Sequence, residues 1–231
     1  MQKDELSAAI DRALNESGRA EQRRKADNYR RLNPFLQPGV LLFTGSSLME
    51  QFPIAELARS RGVTLPLVNR GIGGFTTDDF LQNIDAQLTG IPAGKVFINI
   101  GTNDMTDRFY GDGWMDHLFA NYEEILRRGR EALPNARFYV MAYYPTNHHL
   151  PALHEWALEM LRLRTKENIA ACNRRARAMA EALGCRFINV NQGLTDEAGE
   201  LKREYAIDGV HMVPEAYALV LDNLMPYITE P

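Results

Sequence analysis

Five short runs of apolar, β-branched and aromatic residues punctuate this chain, and they constrain its fold more than any other feature. The runs are VLLFTG (40–45), LPLVNRG (65–71), KVFINIG (95–101), ARFYVMAYY (136–144) and CRFINVN (185–191). Each is nearly continuous rather than alternating, the pattern of a strand covered on both faces. Helical patterns lie between them. Trp114, Leu118, Tyr122, Ile125 and Leu126 space helically, and Glu155 to Leu183 reads as one long helix rich in Ala, Arg and Glu. Pro214 sits at a favoured first-turn position and opens a last helix carrying Tyr217, Val220, Leu221 and Leu224. Strands alternating with helices predict an α/β fold: a three-layer α/β/α sandwich around a mainly parallel five-stranded sheet.

Residues 3–32 are helix-rich in composition. Leu6, Ile10 and Leu14 keep helical spacing, and Gly18 is expected to break that pattern. Arg23, Arg24, Lys25, Arg30 and Arg31 cluster there, but Glu21 and Asp27 are interleaved, so a solvated helix face is expected rather than a basic patch. No internal repeat, low-complexity tract or long linker divides the 231 residues. The expectation is one domain over 1–231, with 1–35 a helical extension packed on it.

Charge and composition then exclude classes of function. A net charge of -4 argues against an electrostatic nucleic-acid or anionic-membrane partner. No segment approaches ~18 consecutive apolar residues, so neither a spanning helix nor stable membrane association is expected. The N-terminus, MQKDELSAAIDRALNESG, lacks the apolar centre of a secretory signal, which points to a cytoplasmic location. The two cysteines, Cys172 and Cys185, form no CxxC pair and have no His or Cys cluster nearby, so reduced structural thiols are expected. Nothing calls for a cofactor or a metal, and a homo-oligomer stays open.

In parallel α/β folds, sites gather at the carboxyl ends of strands. Four polar blocks stand at such ends here. They are Gly45-Ser46-Ser47, then Asn69-Arg70-Gly71-Ile72-Gly73-Gly74, then Gly101-Thr102-Asn103-Asp104, and finally Asp208-Gly209-Val210-His211 before the last helix. Alone, each reads as a turn, a cap or a hydrogen-bonded surface pair. Four together, in order and each at a strand end, are poorly explained that way.

The set resembles the SGNH or GDSL family of acylhydrolases. That family's blocks are a Ser in Gly-Asp-Ser-Leu, a Gly, an Asn in Gly-x-Asn-Asp, and an Asp-x-x-His near the C-terminus. GSSL (45–48), NRGIGG (69–74), GTND (101–104) and DGVH (208–211) correspond, over roughly residues 40–215. The resemblance implies a flavodoxin-like sheet and a carboxylic ester hydrolase. It implies Ser47 as nucleophile, with Asp208 and His211 completing a triad. It implies an oxyanion hole made by the Ser47 and Gly74 backbone N–H groups and the Asn103 side chain. Ser46 departs from the family, which carries Asp there. The departure leaves the triad intact and puts in question the local hydrogen bonds such a carboxylate would make.

The residue types suit the chemistry. A hydroxyl attacks well only when a base takes its proton, and imidazole titrates near working pH. A carboxylate on the second ring nitrogen fixes the tautomer and stabilises the imidazolium. Asp208 stands three residues before His211, so a tight turn puts both on one side. Attack creates an oxyanion, which N–H donors stabilise.

Within this reading the substrate is a small-molecule ester, with a short, acetyl-like acyl group on a carbohydrate-like alcohol favoured. Lysophospholipase or thioesterase activity is the alternative. A nucleotide-binding module is the competing class, with NRGIGG as phosphate loop, but the spacing fails GxGxxG and no Gly-Lys-Ser/Thr follows. His148, His149 and His154 are expected as solvated loop residues, and Asp78 and Asp79 at the start of a helix. Met49, Phe75, Met105 and Tyr144 could equally shape an acyl pocket or pack the core.

Overall fold

The computed structural model describes residues 2–151 and 153–230, with side chains for residue 10, 12–151 and 153–230. The five apolar runs form the sheet. Its strands are β1 (Val40–Gly45), β2 (Leu67–Asn69), β3 (Ala93–Asn99), β4 (Arg137–Met141) and β5 (Arg186–Ile188), in the order β2-β1-β3-β4-β5. Every pairing is parallel, as expected of this sheet. This is a doubly wound order, whose reversal point lies between β1 and β3.

Period-2 side chains divide the strands between two cores. Leu42, Val96, Ile98 and Val140 face one way, onto Phe80, Leu118, Tyr122, Ile125, Cys172 and Ala176. Leu41, Phe43, Phe97, Tyr139 and Met141 face the other, onto Phe52, Ala58, Tyr217, Val220 and Leu224. On that second face the rings of Phe43, Phe97 and Tyr139 stack across three strands at 4.8 and 4.7 Å. The helices supplying the first face include α4 (Thr77–Gln82), α5 (Trp114–Ala132) and α7 (Lys166–Ala182). The second face takes α3 (Ile54–Ser60) and α8 (Pro214–Thr229). Cys172 and Cys185 are buried, free thiols in the first core, and burial pushes Cys172 up to about 12.

Three sequence expectations need correction. Gly18 does not interrupt the N-terminal helix, which runs as α1 from Gln2 to Leu32. A lone glycine costs a helix only about 1 kcal/mol, too little to end one. The predicted helix from Glu155 to Leu183 is two, α6 (Glu155–Leu161) and α7. Thr165 makes the break by capping α7, its Oγ1 accepting from Asn168 N at 3.2 Å. The basic cluster on α1 is not uniformly solvated either: Lys25 turns inward to the Glu50 carboxylate. Ile10 and Leu14 remain exposed, at 51% and 65%.

Candidate active site

β1 ends in a corner that only glycine can form. Gly45 has φ +153°, and a Cβ there would lie 1.9 Å from the Asn99 carbonyl oxygen. The corner leads into the short helix α2 (Ser47–Glu50), with Ser46 at its N-cap. Buried Gln87 braces it by donating to both Gly45 O (2.9 Å) and Arg70 O (2.7 Å). Tyr217 of α8 donates to Leu48 O at 2.9 Å, tying the C-terminal helix to the same corner.

Ser47 therefore stands at the sheet's reversal point, and His211 meets it there. His211 Nε2 is 2.8 Å from Ser47 Oγ. His211 Nδ1 is 2.6 Å from Asp208 Oδ2. The other carboxylate oxygen, Oδ1, accepts from the backbone N–H groups of Val210 (3.0 Å) and His211 (2.8 Å). Burial works against the charge on Asp208, but the His211 ring and these N–H groups outweigh it and hold the carboxyl down at about 2. It is thus ionised at any pH where an imidazole can act as a base.

The three expected oxyanion donors come from three separate segments of the chain. Ser47 is the first residue of α2, where a helix leaves its N–H groups without intrahelical acceptors. Among the described residues, neither the Ser47 nor the Gly74 N–H has a protein acceptor. Gly74 adopts φ +76°, a left-handed conformation suited to glycine. Asn103 lies on the helical turn Thr102–Asp104 that follows β3. Its Nδ2 donates to Phe75 O at 3.0 Å, leaving the second N–H of that amide unassigned. Asp104 beside it accepts from Thr77 N at 3.1 Å, and burial pushes its carboxyl up to about 7 despite the Thr77 donors.

Residues that the sequence reading passed over hold these groups in place. Arg164, 5% exposed in the break between α6 and α7, donates from Nη2 to Asn103 Oδ1 at 3.1 Å. A guanidinium cannot accept, so it selects the amide orientation that presents Oδ1 to it. Arg164 is itself fixed through its carbonyl, which accepts from Thr146 Oγ1 (2.8 Å) and lies 3.1 Å from His148 Nε2. His148 is thus a structural tie rather than a solvated residue. His149 faces Glu200 at 3.3 Å and stays mostly exposed, while His154 stands at the N-cap position of α6 without a side-chain capping bond and lines a cavity with Asp208. Asp79 completes a capping box with Thr76 at the start of α4, and Asp78 binds His117, Tyr110 and Asn121. Met49, Phe75, Met105 and Tyr144 all pack in the two cores, and Met105 and Tyr144 also border a small cavity.

Ser46 is 1% exposed and its hydroxyl has no partner. The carboxylate next to the Ser47 corner comes instead from Glu50, whose Oε2 accepts from Gly73 N at 2.5 Å. Glu50 could have been noticed as the acid four residues after Ser46. The pairing of Arg164 with Asn103 had no local signal, because it spans 61 residues.

The sequence profile of the GDSL-like Lipase/Acylhydrolase family matches residues 48–219, beginning one residue past Ser47 and including Gly74, Asn103, Asp208 and His211. The chain belongs to that family and is a carboxylic ester hydrolase. Its fold recurs in a protein from Streptococcus pneumonia provisionally described as a platelet activating factor. That protein is 30% identical, with a TM-score of 0.83 over 96% of this chain and 99% of that one. A GDSL-like lipase from Bacteroides thetaiotaomicron VPI-5482 is 23% identical, with a TM-score of 0.69 over 88% of this chain and 98% of its own. Axe2, an acetylxylan esterase from Geobacillus stearothermophilus, shares the fold at 16% identity, with a TM-score of 0.62 over 84% and 95% of the two chains. No curated protein sequence matches the chain. Among the described residues, no helix is long and apolar enough to cross a membrane.

Proposed function

We propose that the protein is a serine esterase that removes short acyl groups, acetyl above all, from small carbohydrate-like alcohols through an acyl-enzyme on Ser47. The observation that carries the reading is the chain Ser47 Oγ, His211, Asp208 at 2.8 and 2.6 Å. His211 Nε2 takes the Ser47 proton as Oγ attacks the ester carbonyl. The oxyanion forms against the Ser47 and Gly74 N–H groups and the free N–H of Asn103. His211 then gives its proton to the leaving alcohol. A water, deprotonated by the same ring, releases the acid.

The acyl side is small. A cavity of about 10 Å³ lies among Leu48, Thr102, Tyr144 and Val210, room for about one water-sized or methyl-sized group. Leu48, Thr102 and Val210 each adjoin a site residue in sequence: Ser47, Asn103 and His211. The alcohol side is open. Cavities of about 280 and 340 Å³ reach Asn103 and Asp208 respectively, and Trp156 borders both. Its exposed indole, at 58%, offers a flat apolar face of the kind sugar rings stack on. The test is a series of p-nitrophenyl esters. Acetate is expected to exceed octanoate in kcat/KM by at least about tenfold, since a longer chain has no room without rearrangement. Equal or better hydrolysis of octanoate favours a lysophospholipase or thioesterase instead.

The third donor gives a second expectation. Asn103→Ala should keep the fold and lose ~10²–10³ in kcat. Arg164→Met should cost kcat in the native background and nothing further in the Asn103→Ala background, because its effect runs through that amide. Wild-type kcat in a folded Asn103→Ala protein removes Asn103 from the oxyanion role.

A further inference from the structure

α1 lies wholly outside the matched family region, yet one of its faces is bonded to the glycine loop. Arg19, Gln22, Lys25 and Tyr29 are spaced three, three and four residues apart, which lines them along one side of a helix. Arg19 pairs with Asp79 at 2.7 Å, just beyond the loop. Tyr29 donates to Gly71 O at 3.1 Å. Gln22 Nε2 donates to Gly73 O at 2.8 Å. Lys25 binds Glu50, whose other oxygen accepts from Gly73 N.

The Gly73–Gly74 peptide has a glycine on each side, so sterics alone allow it to point either way. A trans peptide is planar, with its C=O and N–H in opposite directions. Whatever fixes the Gly73 carbonyl therefore aims the Gly74 N–H. The carbonyl is turned to α1, and the loop lies against the nucleophile: a Cβ on Gly73 would stand 3.7 Å from Ser47 Cβ. In the flipped state the same carbonyl would replace the N–H in front of the oxyanion and repel it.

We propose that Gln22 is a positioning residue for hydrolysis, holding the Gly73–Gly74 peptide so that the Gly74 N–H faces the reacting acyl oxygen, with Lys25 acting in support through Glu50. The inference rests on the serine esterase reading above. It gives the N-terminal helix a part in the reaction, not only in the packing.

The test compares Gln22→Leu, Gln22→Lys and wild type with p-nitrophenyl acetate, alongside Ser47→Ala and melting temperatures. Gln22→Leu keeps the size and removes the donor. Its kcat should fall roughly 10- to 100-fold, less than the loss of an oxyanion donor outright. KM should stay within about threefold, since the peptide acts on the transition state rather than on bound ester. Gln22→Lys can still donate to the Gly73 carbonyl and should restore most of kcat. Wild-type kcat in Gln22→Leu overturns the proposal. So does a loss that Gln22→Lys leaves unrestored or that tracks a falling melting temperature. Hydrolysis that survives Ser47→Ala overturns the esterase reading itself. Hydrolysis that needs Ser47 but not Gln22 overturns only the role of α1.

Discussion

Ser47→Ala should abolish hydrolysis while Ser46→Ala leaves it nearly intact. The two serines are adjacent, and both have the right side chain. Only Ser47 Oγ lies within reach of a base, 2.8 Å from His211 Nε2. Deleting a triad nucleophile typically costs ~10⁶ in kcat, about 8 kcal/mol of barrier, and leaves the residual that oxyanion donors provide. Ser46 Oγ is buried and makes no hydrogen bond. Removing it breaks no interaction and relieves an unsatisfied polar atom, so Ser46→Ala should keep activity and lose no stability. Steady-state kinetics with p-nitrophenyl acetate and thermal melts on both variants read this directly. A dead Ser46→Ala enzyme beside an active Ser47→Ala enzyme would reverse the assignment.

The second large effect belongs to Asp208→Asn. An amide there has one oxygen, and the backbone N–H groups of Val210 and His211 both need an acceptor at the present Oδ1 position. The NH₂ is then forced toward His211 Nδ1, where the carboxylate now accepts at 2.6 Å. A donor facing Nδ1 favours the tautomer with the proton on Nε2, and that nitrogen can no longer take the Ser47 proton. The expected loss is ~10⁴ in kcat with KM and melting temperature little changed. A folded Asn variant that loses less than about tenfold would show that this carboxylate does not set the tautomer.

How much of this was readable in the sequence depends on the range of each interaction. The five strands were legible because each is a local apolar run, and the four blocks because each carries its chemistry within six residues. The spacing of Asp208 and His211 allowed them to meet, and the family resemblance paired them. The break between α6 and α7 was hidden in a stretch whose composition favours helix throughout, and only the Thr165 cap decides it. Arg164 looked like another charge on a helix, since nothing local says that residue 164 faces residue 103. Lys25 was misread for the same reason. Its neighbours Glu21 and Arg24 do pair at the surface, and only the arrival of Glu50 from α2 draws Lys25 inward.

The Ser47–His211 contact joins positions 164 residues apart. Ser47 follows the first strand, and His211 arrives after the last, just ahead of α8, which is locked to the Ser47 corner through Tyr217. No early, partly formed sheet can carry this contact, because it awaits the final fifth of the chain. During refolding, far-ultraviolet circular dichroism should therefore recover before hydrolysis does. The return of turnover then times closure of a 164-residue loop, so the enzyme reports the end of its own folding.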